Sequence, residues 1–120
     1  AVMAAMGLQV EAQEADSTVA AILEPALNQA GVTTTVRSLA DPVSSDWDLI
    51  ISEGSVAQVP DTWLAALKPG GRLAAVVRDG PVGQARLFVK AASGVVSSRD
   101  LFDATPPMLA AFEQLPIFVL

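Results

Sequence analysis

The sequence has no cysteine, no histidine and no tyrosine. Without cysteine there is no disulfide framework and no thiolate metal site. Without histidine, Ser-His-Asp and Cys-His catalysis, imidazole metal sites and imidazole general bases all fall away. Chemistry is left to carboxylates, hydroxyls, backbone groups or a cofactor. Positive charge is scarce: 7 Lys and Arg against 13 Asp and Glu give a net charge of −6. That balance argues against non-specific nucleic-acid binding, which needs a basic stripe. No apolar run reaches the roughly 18–20 residues of a membrane span, and no basic amphipathic helix suits a membrane surface. The lack of disulfides suits the cytoplasm. The fingerprint GxGxxG does not occur, so the sequence carries no glycine-rich phosphate loop.

The residues that are present are strongly apolar. The chain is 52% hydrophobic and 17% charged, with the many Ala and Val residues expected of a sheet buried on both faces. Its 120 residues suffice for a core, and with no repeat, low-complexity tract or linker, 1–120 reads as one domain. The most informative stretch is Leu67-Lys68-Pro69-Gly70-Gly71-Arg72-Leu73. Pro69 cannot continue a helix, because it lacks an N–H and its ring clashes with the preceding turn. Gly70 and Gly71 allow the left-handed backbone that closes helices. The stretch therefore predicts a helix, a sharp stop, and a buried strand from Leu73 to Val77.

Around it the pattern alternates helices and strands. Ala1–Gly7 reads as the end of a helix capped by Gly7, and no capping residue precedes it. The chain is therefore expected to belong to a longer protein. Leu8–Ala12 alternates like a strand. Asp16 or Ser17 caps a helix to about Ala30, with Val19, Ile22, Leu23, Ala26 and Leu27 on one face. Pro25 predicts a kink or a late start, and Gly31 a stop. Val32–Val36 is a β-branched strand. Trp47–Ser52 reads as a short buried strand ending in a Glu53-Gly54-Ser55 turn. Pro60–Lys68 is the next helix, with Pro60 or Asp61 in its first turn. Ala85–Lys90 and Val95–Phe102 form a hairpin-like pair around Ser93-Gly94. A short helix from Met108 to about Phe112 and a strand Ile117–Leu120 complete the pattern. Two β-α-β units demand parallel strands, and the tail adds antiparallel ones. The expected architecture is an α/β, Rossmann-like, doubly wound mixed sheet.

In such sheets ligands bind beyond the carboxyl ends of the strands. Glu14, with Ala15 beside it, ends the first strand, where a carboxylate can accept two hydrogen bonds from a ribose diol. The same residues also describe a solvated acidic turn with Asp16 as a helix cap. Ser38 and Leu39 follow the second strand, where a hydroxyl and an apolar face could line a base or simply form a loop. Glu53 follows the third, beside a glycine that permits close approach, and suits a cationic or amine-bearing ligand or an exposed turn. No carboxylate pair or cage has the spacing of a glycosidase or a metal site.

Taken in order, Ala1–Asp16, Trp47–Gly54, Val59-Pro60, Leu67–Leu73, Gly83–Lys90 and Leu101–Asp103 resemble a class I S-adenosylmethionine-dependent methyltransferase. More narrowly, the chain resembles the C-terminal two-thirds of the protein-L-isoaspartate O-methyltransferases. The resemblance implies a seven-stranded sheet of order 3-2-1-4-5-7-6 with strand 7 antiparallel. Strand 1, its glycine-rich loop and a substrate-proximal serine would then precede Ala1. It implies that Glu14 holds the cofactor ribose, that Ser38 and Leu39 border the adenine, and that Glu53 lies beside the methionine moiety. It implies methylation of isoaspartyl carboxylates in damaged protein or peptide substrates, in the cytoplasm, with a homodimer as one assembly to test for. The chain departs from the family after strand 3, where Ser38-Leu39 stand and Asp41 is displaced. It departs again at Glu53-Gly54-Ser55 and at Thr105–Leu109. These departures motivate a second reading, a non-catalytic relic serving as a binding or dimerisation module. A nicotinamide-dependent oxidoreductase is a third reading, compatible with Glu14 but less so with the antiparallel tail.

Overall fold

In a computed structural model, the structure describes residues 1–109. They fall into two compact units, Ala1–Val43 and the chain from Ser44 on.

The first unit opens with α1 (Val2–Ala5). Gly7, at φ +89°, donates to Ala4 O, and Leu8 N donates to Met3 O, the paired bonds of a Schellman stop. β1 (Glu11–Glu14) follows, a few residues later than the alternation of Leu8–Ala12 predicts. α2 (Ser17–Gln29) is capped by Asp16, whose side chain accepts from Thr18 N and Val19 N. The helix starts at Ser17 in spite of Pro25, which it accommodates inside. Gly31 at φ +77° closes it with the same paired bonds, Gly31 N to Asn28 O and Val32 N to Leu27 O. β2 (Thr33–Val36) pairs in parallel with β1, Glu14 opposite Val36. The apolar face expected on α2 is largely uncovered. Ala20 is its buried residue, while Ile22 and Leu23 are exposed. Two strands of four residues offer too little area to cover a helix of 13.

The second unit is a four-stranded sheet in the order β3-β4-β5-β6. β3 (Trp47–Val56) and β4 (Leu67–Arg78) are parallel, joined through α3 (Asp61–Ala65). β5 (Gly83–Lys90) and β6 (Val96–Ala104) add antiparallel neighbours. β4 is one of the two inner strands, with Leu67 and Leu73 fully buried and Ala75 nearly so. Trp63 and Ala66, from α3 and its end, are buried with them. Lys90 Nζ donates to Leu64 O at 3.1 Å and Leu67 O at 3.0 Å, which places a cation on the carbonyl end of α3.

Several expectations are corrected here. The Pro69-Gly70-Gly71 turn lies inside β4. Trp47 pairs with Leu67 and Leu49 with Arg72, so Lys68–Gly71 bulge out of the strand rather than precede it. The predicted turn Glu53-Gly54-Ser55 lies inside β3, which continues to Val56. β3 is an edge strand among the described residues, with Leu49 and Ile51 exposed, not a buried one. Finally, β5 sits directly beside β4 and β6 beside β5, so nothing is inserted between them as the order 5-7-6 requires. A tight turn at Asp79–Val82 favours the nearest strand as partner. Met108 forms an isolated bridge to Ser55 rather than starting a helix; the rest of that predicted helix and the strand Ile117–Leu120 lie outside the described residues.

In β6, Ala85 pairs with Phe102 and Arg86 with Asp100, leaving Leu101 as a bulge.

Candidate functional site

In the first unit, the sequence-chosen residues collect at the carboxyl ends of β1 and β2. Glu14 is the last residue of β1 and half-buried, and Ala15 is exposed next to it. Glu14 Oε1 accepts from Asp16 N at 3.1 Å. Among the described residues its other oxygen has no partner. Glu14 O accepts from Arg37 N at 3.0 Å, which ties the ends of the two strands together. Ser38 is exposed and Leu39 half-buried.

The residue that organises this end was not chosen from the sequence. Gln13 Nε2 donates to Ser38 O at 2.8 Å and to Asp41 O at 2.9 Å. Its Oε1 accepts from Val43 N at 3.2 Å. One amide thus holds the whole 38–43 loop against β1. Its neutral side chain in an alternating strand gave no signal of this. Asp41, displaced from the expected acidic position, is engaged by Arg37 through an ion pair of 2.8 Å. Replacing Gln13 with Ala is expected to cost about 1.5–4.5 kcal/mol, three bonds at about 0.5–1.5 kcal/mol each, and to accelerate hydrogen exchange at the Asp41 and Val43 amides. Unchanged exchange there would remove Gln13 from this role.

In the second unit, Glu53 is exposed on β3, in a stretch where the pairing register slips between Ile51 and Ser55. A separate concavity of about 870 Å³ lies beside α3, over β4 and β5. Its walls include Val59, Leu64, Val77 and Phe88, with Asp61 and Asp79 among its polar groups. None of the residues chosen from the sequence line it. Among the described residues no group of three or more acidic side chains could hold a metal ion, and no helix is long and apolar enough to cross a membrane.

Compared with known proteins, the chain matches no protein-family model and no curated protein. Solved structures do resemble it. One is assigned as a protein-L-isoaspartate O-methyltransferase (beta-aspartate methyltransferase) from Plasmodium falciparum, solved in complex with S-adenosyl-L-homocysteine. It superposes with a TM-score of 0.71 at 11% identity, over 83% of this chain and 51% of that one. A second, a protein-L-isoaspartate O-methyltransferase, gives a TM-score of 0.75 at 21% identity, over 84% of this chain and 34% of that one. The fold is that of a Rossmann-like methyltransferase. The chain spans about half the length of the first structure and a third of the second.

Proposed function

We propose that the protein is an S-adenosylmethionine-dependent O-methyltransferase acting on the carboxylate of isoaspartyl residues in proteins or peptides. The observation that carries the cofactor reading is Glu14: a carboxylate at the carboxyl end of a parallel strand, with one oxygen unclaimed among the described residues. In this reading Glu14, with Ala15 beside it, accepts the ribose hydroxyls, and Ser38 and Leu39 border the adenine with a hydroxyl and an apolar face. When bound, the cofactor supplies a methyl group already activated by its sulfonium. The protein's share is to align the acceptor carboxylate and exclude water, work that needs neither histidine nor cysteine. The narrower substrate assignment is supported by the similarity to isoaspartate methyltransferases and by the stretches quoted from the sequence.

Two measurements test it. Calorimetric titration of the complete protein with S-adenosylhomocysteine is expected to give saturable heat; no heat and no thermal shift would sink cofactor binding. Methyl transfer to an isoaspartyl peptide, but not to its aspartyl twin, is expected. Equal or absent transfer to both would remove the substrate assignment and leave the fold.

A further inference from the structure

We propose that Asp79-Gly80, in the turn between β4 and β5, is a site where the folded protein spontaneously converts an aspartate to isoaspartate, whatever reaction the protein itself catalyses. The conversion asks for a carboxyl group free of partners and a following backbone N–H free to attack it. It also asks that no side chain on the following residue stand in the way. Asp79 is the only aspartate followed by glycine. Gly80 sits at φ +120°, where L side chains are rarely found, so the turn itself keeps a glycine there. Arg78 pairs with Gly83, which leaves Asp79–Val82 as the loop, and all of it is exposed within its unit. Arg78 Nε donates to Gly80 O at 2.9 Å, which holds the far side of Gly80 and not its N–H. Among the described residues neither the Gly80 N–H nor the Asp79 carboxylate has a partner.

Every other aspartate lacks at least one of these conditions. The Asp16 carboxylate is held by Thr18 N and Val19 N. Asp48 and Asp100 are in ion pairs with Lys68 and Arg86, and Asp103 accepts from Gln84. Asp41 pairs with Arg37 and precedes Pro42, which has no N–H. After Asp46, the Trp47 N–H donates to Ala66 O at 3.0 Å. After Asp61 comes Thr62 within α3, whose β-branched side chain crowds the approach. At Asp79 the Gly80 nitrogen attacks the side-chain carboxyl carbon in its acid form. A C–N bond forms and a C–O bond breaks, and the hydroxyl oxygen leaves as water with the acid proton and the amide proton. The cyclic imide then takes up water. Addition at the side-chain carbonyl restores aspartate. Addition at the main-chain carbonyl breaks the original peptide C–N bond and leaves the chain running through Cβ and Cγ. No reactant other than water enters. The new link adds one backbone atom to a loop whose ends are fixed by strand pairing, so it loosens the turn. Asp79 and Val82 line the concavity beside α3, and the change reshapes that wall.

For the test, the complete protein is aged at neutral pH and body temperature beside a synthetic peptide of residues Val76–Gly83. Both are then unfolded and digested with a protease that cuts before aspartate but not before isoaspartate. Progressive loss of the cut before residue 79 is expected in the protein as in the peptide, with no loss at the other aspartates. Electron-transfer fragmentation of the uncut product should show the isoaspartyl link. Conversion in the peptide with none in the folded protein overturns the proposal, because the fold then protects the site. Equal conversion at the engaged aspartates overturns it as well. Asp79→Glu, whose longer side chain closes a larger and slower-forming ring, is the control and is expected to age without this product. Hydrogen exchange reads the consequence. Amides 78–84 are expected to exchange faster in aged than in fresh protein, and to show no such change in aged Asp79→Glu. Equal exchange in aged and fresh protein that carries the link would overturn the loosening of the turn.

Discussion

Replacing Glu14 with Ala is expected to weaken S-adenosylhomocysteine binding by roughly 100-fold or more. A hydrogen bond to a charged group contributes about 1.5–3 kcal/mol, and each 1.4 kcal/mol is about tenfold in affinity. Two such bonds to a ribose diol therefore account for the loss. Folding should barely notice, because among the described residues the one bond the Glu14 side chain makes is to Asp16 N in an exposed turn. The Asp16 cap of α2 uses its own carboxylate on Thr18 N and Val19 N and survives the change. Stability is thus expected to fall by less than about 1.5 kcal/mol. Glu14→Gln, which keeps one acceptor oxygen, should lie between. Calorimetric titration and a melting curve on the same samples separate the two effects. Unaltered affinity in Glu14→Ala would favour the reading of the chain as a non-catalytic binding module.

Leu73→Ala is expected to have the largest effect on stability, a loss of about 2–5 kcal/mol. Leu73 is completely buried in β4, an inner strand, flanked by Ile50 of β3 and Phe88 of β5. Its removal leaves a cavity that neither neighbour can close without breaking strand pairing. Against a typical total stability of about 5–15 kcal/mol, that loss threatens the fold itself. Val95→Thr, at an exposed position before β6, serves as the control and should change stability by less than about 0.5 kcal/mol. Urea unfolding of both variants checks the pair. Similar losses in the two would mean that the core does not lie along β4.

Local chemistry was readable wherever one residue decides a local outcome. Gly7 and Gly31 could be placed as helix stops because the left-handed backbone they adopt suits glycine above other residues. Asp16 was legible as a cap because its carboxylate reaches amides two and three residues on. Glu14 was legible for the same kind of reason, as an acid at a strand's end. Gln13 was not, since an amide with no charge and no motif reveals its importance only when its partners at 38, 41 and 43 are folded beside it. Glu53 was legible as a candidate but not in its setting, because the register slip around it depends on how β3 pairs with β4.

The sequence by itself determined the order of helices and strands, the helix caps, the absence of histidine and cysteine chemistry, and the likeness to methyltransferases. The first three follow from periodicity, backbone preferences and composition, all local properties of the chain; the likeness rests on the resemblance of quoted stretches to the family. Only the tertiary structure decided that Lys68–Gly71 is a bulge within β4 and that β3 runs through Glu53 to Val56. It also decided that β5 and β6 stack outward in chain order, and that Met108 returns to bridge Ser55. Each of these depends on which strand lies beside which and in what register. Pairing is set by hydrogen bonds and packing between residues distant in sequence, and no local pattern encodes the partner.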